Sequence, residues 1–551
     1  MKKFSPSAFL HSRYPLAILS GLLLASAFPK IGIAGFAWVA PGLIFATTLG
    51  KRGAETFRLG YVAGLVHYLA SLYWLLNIPV SGFPILGWIA LAAFLALFPA
   101  TWAWLSVPLL ATPHASPTWL DAVKELYARS WSERMSLAIR AAAIWVAFEM
   151  VLTHIFGGFP WNLLGDSQYR IVPLIQFASF TGIYGVSFLV AWTSVSLLCA
   201  VASILAKPSE RSPWMAEIIL PFVAIVAAFT YGFHELRKTA PANRELKVAM
   251  VQPGIPQTMI WNPANDMLRF QDLLKLSEAA LASKPDLLVW PEAALPGIPR
   301  YQSEFADPIS DLAREHKAWL IIGADDAEFT ATETNYFNAS LLISPDGKLA
   351  NTYRKRGLVM FGEYIPLEKW LPFIKWFTPI TGSYTRGDHA VQFQFSTPGR
   401  GETENKFQTS VLICFEDIFP NLARKSVEPD TDFLVNITND GWFGQGAAQW
   451  QQAAAATFRT VENGVPLIRC ANTGITCWID AKGRWIQTFT DKNGSVYGVG
   501  YMTSTIPLPA GHAQTFYNRY GDWFGWACVA LAVLILALRA TSRRRSAPQT
   551  T

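Results

Sequence analysis

Charged residues are scarce in this chain. Asp, Glu, Lys and Arg make up 15% of its 551 residues, whereas soluble domains carry about a quarter. Against that deficit stand 52% hydrophobic residues, 14% aromatic residues, 22 Trp and a positive mean hydropathy, a balance that excludes an ordinary soluble enzyme and indicates a membrane protein. Cysteine is sparse as well: five residues (Cys199, Cys414, Cys470, Cys477, Cys528) with no C-x-x-C pair, which argues against a zinc site or a disulfide framework. The odd count leaves at least one thiol free or bridged to another molecule. The histidines are scattered without ligand-like spacing, so no metal and no organic cofactor is implied. A phosphate-binding G-x-x-x-x-G-K-[ST] loop, internal repeats and low-complexity tracts are all missing. The net charge of +6 does not point to nucleic acid, because the basic residues flank apolar runs.

Long apolar runs are what the chain has in plenty. A bilayer core about 30 Å thick takes roughly 20 apolar residues of helix. Seven such runs precede residue 240, at about 15–29, 32–50, 57–77, 84–111, 137–155, 173–205 and 214–234, and an eighth covers 522–538. The first run leads straight into another span rather than into a small-residue cleavage site, so it reads as an anchor and not a removed signal peptide. Lys and Arg fix the orientation. With the N-terminus in the cytoplasm, the inside segments and the tail hold sixteen basic residues, and the outside loops among the first seven spans hold two, Lys30 and Arg170. Both termini are then cytoplasmic, and the long stretch between spans seven and eight lies outside.

That stretch has ordinary polarity. Short apolar runs ("LKVAMVQ", "DLLVWPE", "WLIIGAD", "NASLLIS", "VLICFED", "DFLVNITND", "VPLIRCANT") alternate with helical patterns at 266–283 and 451–462. Strands interleaved with helices predict a layered α/β domain. The expected organisation is a transmembrane domain over 1–238, an extracytoplasmic domain over 244–510, and a last transmembrane helix with a basic cytoplasmic tail over 521–551.

Three stretches of that domain each set ionisable residues at or near the end of an apolar strand: "LLVWPEAALP" (Glu292), "YRKRGLVMFGEYIP" (Lys355, Glu363) and "VLICFEDIFP" (Cys414, Glu416). Strand ends are where α/β domains build sites. A thiol with an unperturbed pKa of about 8.5 is mostly protonated near pH 7 and needs a base. A desolvated carboxylate supplies one, and a lysine can stabilise both the thiolate and the oxyanion formed when a carbonyl is attacked. Glu, Lys and Cys therefore make a complete acyl-transfer set. Each residue also has a plainer reading: Cys414 as packing, Glu292 as a turn cap, Lys355 with Arg354 and Arg356 as a solvated basic patch, Glu363 and Glu416 as structural ion-pair members.

The order "WPE", "YRK…GLVMFGEY", "ICFE" resembles the nitrilase superfamily, which implies an αββα sandwich and a Glu292-Lys355-Cys414 triad. Joined to eight membrane spans it resembles the apolipoprotein N-acyltransferase family. "GFPWNLLGDSQ" (158–168), "QPGIPQTMIW" (252–261), "YTRGD" (384–388) and "TNDGWFG" (438–444) extend the resemblance to about residue 485. It implies a ping-pong transfer: Cys414 takes an acyl chain from a phospholipid as a thioester, then passes it to the N-terminal amine of a diacylglyceryl-cysteine apolipoprotein. It further implies that the backbone N–H of Phe415 joins Lys355 at the oxyanion, that Glu363 orients Lys355, and that Glu416 orders the loop over the thiol. Trp261, Asn338, Arg386 and Trp442 match positions that line the family's site, and Trp442 with Phe443 are candidates for an acyl-chain entry. A membrane part has a physical reason here, since pulling an acyl chain out of a bilayer costs about 0.8 kcal/mol per methylene. Two positions depart from the family pattern: Met360 stands where proline is usual, and the helix after "WFG" reads "GQGAAQWQQAAAATFR" with no histidine.

Two other function classes stay open on the sequence: a membrane-tethered nitrilase-type carbon–nitrogen hydrolase (an amidase), and a transporter or lipid-binding protein with an inert outer domain. Within the spans, Glu149 is a carboxylate expected to pair with Arg170 or His154, and His67 reads as a hydrogen-bonded core residue. Cys470 and Cys477 straddle a strand-turn in a compartment that permits a disulfide.

Overall fold

The computed structural model describes residues 12–79, 83–107, 118–208, 212, 214–238, 241–260, 262–330, 333–366, 370, 382–399, 404–511 and 513–545. The chain divides into two compact units, one made of Met1–Tyr73, Leu86–Glu235 and Asp522–Thr551, the other of Trp74–Ile85 and Leu236–Gly521.

The first unit is helical. Among the described residues, Pro84–Ser106, Trp131–Gly157, Ile183–Ala206 and Met215–Arg237 are long and apolar enough to cross a membrane, and Tyr14–Ser26, Ala34–Thr48, Val172–Thr181 and Trp523–Leu538 are shorter apolar helices. In their described parts the eight expected runs fall mainly on helix, residues 108–111 of the fourth lying outside the described residues, and two runs show local differences. The 173–205 run is divided at Gly182, whose φ of 68° ends one helical segment before Ile183–Ala206 begins. The 57–77 run stops as α-helix at Ser71 and continues as a 3-10 turn, Tyr73–Asn77. Close packing uses small residues: a Cβ on Gly60 or Gly64, a G-x-x-x-G pair on the helix Ala54–Ser71, would come within 2.9 or 3.0 Å of atoms of the 96–103 segment. Arg134 and Glu217 form a buried ion pair at 2.6 Å that links Trp131–His154 to Met215–Arg237.

Glu149 is not paired as expected. Its Oε1 accepts from the Trp145 indole (3.0 Å) and from the Leu164 backbone N–H (2.7 Å). His154 instead bonds the Met150 carbonyl, and Arg170 lies over the Tyr169 ring. Both candidates had polar partners nearer in sequence, which spacing on a helix does not reveal. His67 is buried against Phe28 and Tyr68, but its Nδ1 has no hydrogen-bond partner among the described residues. The same holds for Glu149 Oε2 and Asn162 Nδ2, and all three residues line one cavity walled by Phe98, Trp102 and Trp145.

The second unit is a four-layer sandwich. Its strands are β1 (Arg244–Gln252), β2 (Leu287–Val289), β3 (Trp319–Phe329), β4 (Thr334–Ile343), β5 (Leu349–Arg354), β6 (Gln392–Pro398), β7 (Glu404–Ile413), β8 (Phe433–Thr438), β9 (Leu467–Ala471), β10 (Cys477–Ile479), β11 (Trp485–Thr488) and β12 (Gly500–Leu508). They form two six-stranded sheets, ordered β12-β1-β2-β3-β4-β5 and β11-β10-β9-β8-β7-β6. Period-two alternation builds the layers. In β1, Leu246, Val248 and Met250 face the core between the sheets, while Ala249 and Val251 face the helices Asp266–Leu281 and Ser303–His316. In β8, Phe433, Val435 and Ile437 face inward and Leu434 packs under Pro420–Ser426 and Ala448–Asn463. This is the αββα sandwich expected.

In each sheet the central strands are parallel: β1, β2 and β3 in one, β7, β8 and β9 in the other. Their carboxyl ends therefore collect residues from distant parts of the chain. Cys470 and Cys477 are both free thiols, and Cys470 Sγ donates to the carbonyls of Val251 and Val289.

Candidate active site

The turn after β2 carries Glu292. Trp290 anchors that turn: it is fully buried, with its indole N–H on Ser277 Oγ at 2.8 Å. Strand β3 passes so close that a Cβ on Gly323 would lie 2.3 Å from the Pro291 carbonyl oxygen, so only glycine fits. Glu292 Oε1 accepts from Lys355 Nζ (3.1 Å) and Asn338 Nδ2 (2.7 Å), and its Oε2 accepts from the Asn439 backbone N–H (2.9 Å).

Lys355 follows directly on β5 and is 1% exposed. Its ammonium bridges Glu292 and Glu363, the latter at 2.8 Å. Glu363 also accepts from Asn338 Nδ2 (2.9 Å) and from the Val359 N–H (2.8 Å). Burial lowers the proton affinity of Lys355, but the charges of Glu292 and Glu363 outweigh it and hold the group well above its ordinary range. It remains an ammonium.

Cys414 begins a 3-10 turn, Cys414–Ile418, at the end of β7. Its φ is 54°, a left-handed conformation that costs a non-glycine residue about 1–2 kcal/mol. Neighbouring contacts over-determine it. The Cys414 carbonyl accepts from Asn436 Nδ2 and Gln452 Nε2, both at 2.9 Å, and the Ile413 N–H is held by Glu416 Oε2 at 2.8 Å. Burial first, then the Glu292 charge, push the thiol well above its usual range, and Lys355 pulls the other way. The resting group is a thiol, which would need a base to act as a nucleophile.

Glu416 is fully buried and saturated. It accepts from the Tyr353 hydroxyl and from the N–H groups of Ile413, Arg356 and Gly357, the two latter at 2.7 Å. It therefore ties the chain just after Lys355 to the turn that carries Cys414. In Glu416→Gln an NH2 group faces backbone donors, at a cost of about 1–3 kcal/mol. A thermal melt of the detergent-solubilised protein is expected to shift down by several degrees, with slower acyl labelling of Cys414; an unchanged melt and rate would remove this role.

Two models of known families match the chain: the apolipoprotein N-acyltransferase N-terminal domain over residues 20–196, and carbon–nitrogen hydrolase over 247–504. An apolipoprotein N-acyltransferase of Geobacter metallireducens is 36% identical over 542 residues, covering 97% of this chain and 96% of its own. The chain belongs to the apolipoprotein N-acyltransferase family. A relative of the same name from Rickettsia prowazekii is 29% identical over 526 residues, covering 94% of this chain and 96% of its own. Among solved structures, an amidase from Nesterenkonia overlaps 50% of this chain and 94% of its own, at 14% identity and a TM-score of 0.34.

For this family member the structure brings Glu292, Lys355, Glu363 and Asn338 into direct contact, with Cys414 within reach of their charges. Phe415 is half-buried, its ring centroid 6.0 Å from Lys355 Nζ and edge-on to Phe419. Arg386 is exposed and sits over the Tyr364 ring. Trp442 lies in the short turn Asp440–Phe443, while Trp261 falls outside the described residues. Met360 forms an isolated β-bridge with Tyr364. The glutamines of the helix without histidine are all engaged: Gln449 on the Asp440 and Gly444 carbonyls, Gln451 on Trp74, Gln452 on Cys414 and Asp417.

Sequence reasoning missed a buried support behind the thiol. Arg469, in the middle of β9, donates to Asp417 (2.7 Å), Asn436 (2.6 Å) and Asp440 (2.6 Å), fixing the ends of β7 and β8 side by side. Asn439 joins this support through Gln257 and Asn472, both at 2.9 Å. A charged residue inside an all-buried strand was the available signal.

Proposed function

We propose that the chain is a membrane acyltransferase that moves a fatty acyl group from a phospholipid to the N-terminal amine of a diacylglyceryl-cysteine apolipoprotein, completing lipoprotein maturation. The observation that carries this reading is a buried lysine clamped between two carboxylates beside a strained strand-end thiol, in a chain of the apolipoprotein N-acyltransferase family.

In the first half-reaction Glu292 takes the Cys414 proton as the sulfur attacks the ester carbonyl carbon. Lys355 and the Phe415 N–H stabilise the oxyanion, and Glu363 holds the ammonium in place. The ester C–O bond breaks, Glu292 returns the proton to the glycerol oxygen, and a lysophospholipid leaves a thioester on the enzyme. In the second, the acceptor's amine nitrogen attacks the thioester carbon. The C–S bond breaks, and the amine proton passes through Glu292 to the sulfur. An amine attacks a thioester far better than water does, and conversion to an amide is downhill, so transfer dominates hydrolysis. Trp261, Asn338, Arg386 and Trp442 are assigned to the substrate-facing lining. The basic-residue asymmetry of the apolar runs supports a bacterial cytoplasmic membrane location, with both termini in the cytoplasm and the catalytic unit on the periplasmic side.

Mass spectrometry of a lipoprotein N-terminus, from cells with and without this protein, tests the reading. An added acyl amide present only with the protein is expected. An N-terminus that stays a free amine in both, with amide hydrolysis by the purified protein, would replace the reading by that of an amidase.

A further inference from the structure

Behind the Lys355–Glu363 contact runs a short strap, residues 384–387, whose backbone is stitched to the pocket at three points. The Tyr384 N–H donates to the Glu363 carbonyl (2.8 Å), the Thr385 N–H to the Tyr336 carbonyl (2.7 Å), and the Gly387 N–H to the Lys355 carbonyl (2.8 Å). Gly387 fits so closely that a Cβ there would stand 2.1 Å from the Arg354 carbonyl oxygen. The strap thus fixes the main chain of Lys355 itself and of Glu363, one of the two carboxylates on its ammonium. Its side-chain anchor is the Tyr384 hydroxyl, which donates to Asp325 Oδ1 at 3.0 Å. Asp325 lies on β3 directly opposite Asn338, the residue whose amide bridges Glu292 and Glu363. None of the roles above uses Asp325.

We propose that Asp325 is a positioning residue for acyl transfer: through Tyr384 it anchors the strap that holds Lys355 and Glu363. The inference rests on the acyl-enzyme reading. The pocket supports it in charge as well as geometry. Glu292 and Glu363 both contact the Lys355 ammonium, and the charges of the same two carboxylates reach Asp325. The groups facing Asp325 are Tyr384 from the strap, Glu292 and Glu363 from their turns, and Arg269, which is itself paired with Asp266 at 3.1 Å. Burial raises the proton affinity of Asp325 to a pKa of about 6; the Tyr384 hydrogen bond and Arg269 oppose the rise, and the two glutamates add to it. The anion is therefore present at neutral pH and lost as the pH falls through 6, and the charged anchor of the strap is lost with it.

The test is single-turnover labelling of Cys414 by radiolabelled phosphatidylethanolamine, using the full chain in detergent between pH 4.5 and 8.5. The wild-type rate is expected to fall through an inflection near pH 6. D325N keeps an acceptor for Tyr384 but removes the charge; about a tenfold loss at pH 7.5, the scale of a charge-assisted hydrogen bond reduced to a neutral one, is expected, with that inflection gone. Y384F keeps the charge and removes a hydrogen bond that favours the anion, so its inflection is expected to move upward. Wild-type rates and profiles in both variants would overturn the inference alone. If D325N melts early and loses labelling at every pH, Y384F decides: a displaced inflection sustains the inference and an unmoved one ends it. A wild-type protein that takes no label on Cys414 overturns the acyl-enzyme reading and this inference with it.

Discussion

Cys414→Ala is expected to remove acyl transfer completely, to below about one part in 10⁴ of the wild-type rate, because no other group in the pocket can carry the acyl chain. The hydroxylamine-sensitive label that phospholipid leaves on the wild-type protein is expected to vanish with it. The melt should hardly change, since the main-chain contacts of residue 414 come from Asn436 and Gln452 onto its carbonyl and do not involve the sulfur. The resting thiol gives a second readout. Burial, reinforced by the Glu292 charge, raises its proton affinity, so the neutral form persists well above pH 7. Alkylation by iodoacetamide is therefore expected to be slow at pH 7 and to climb steadily as the pH rises. Rapid, pH-independent alkylation would mean a preformed thiolate and would contradict the need for a base.

Glu292→Gln separates that base from the rest of the machinery. With the amide oxygen in the Oε1 position, two of the three hydrogen bonds that Glu292 now accepts are kept, and Lys355 keeps Glu363 as a charged partner. Loss of a general base costs about 10²- to 10⁴-fold, and labelling of Cys414 by phospholipid is expected to slow within that range. Thiol chemistry should move in the opposite direction. The Glu292 charge raises the Cys414 proton affinity while Lys355 lowers it, so removing the carboxylate takes away the largest charge that opposes the lysine. The thiolate fraction at pH 7 then grows, and iodoacetamide reacts faster. Transfer down and alkylation up is a signature that simple unfolding would not give. A variant in which both fall together would make Glu292 a structural residue.

Much of this arrangement could be read from local pattern. The turn after β2 and the end of β7 advertise themselves as short apolar runs closing on an ionisable residue, and the alternation in β1 and β8 assigns each side chain to a layer. What escaped reading depends on which strands become neighbours. The family resemblance puts Asn338 on the lining of the site, but its bridge between Glu292 and Glu363 shows only once β3 and β5 flank it. Arg469 and Asp417 lie far apart in sequence, and only the order β7-β8-β9 turns one toward the other. Asp325 is half of an acidic pair in "GADDAE"; its partner Asp326 is spent on Arg300 and Arg354. Hydropathy also misleads at chain breaks. It counts glycine and tryptophan as parts of a continuous apolar run, and so hides the turn at Gly182 and the end of the helix at Ser71.

The turn beyond Ser71 has one more implication. Trp74 is buried, with its indole N–H on Gln451 (3.0 Å) and its ring edge-on to Phe443 at 4.5 Å, and Asn77 donates to the Phe443 carbonyl (2.9 Å). Gln451 is next to Gln452, which holds the Cys414 carbonyl. A piece of polypeptide from between two apolar helices is thus a missing wedge for any soluble fragment cut from the C-terminal half. Such a fragment would expose Phe443 and take the Trp74 indole away from Gln451 Oε1, whereas co-expression of the two halves as separate polypeptides would restore the wedge.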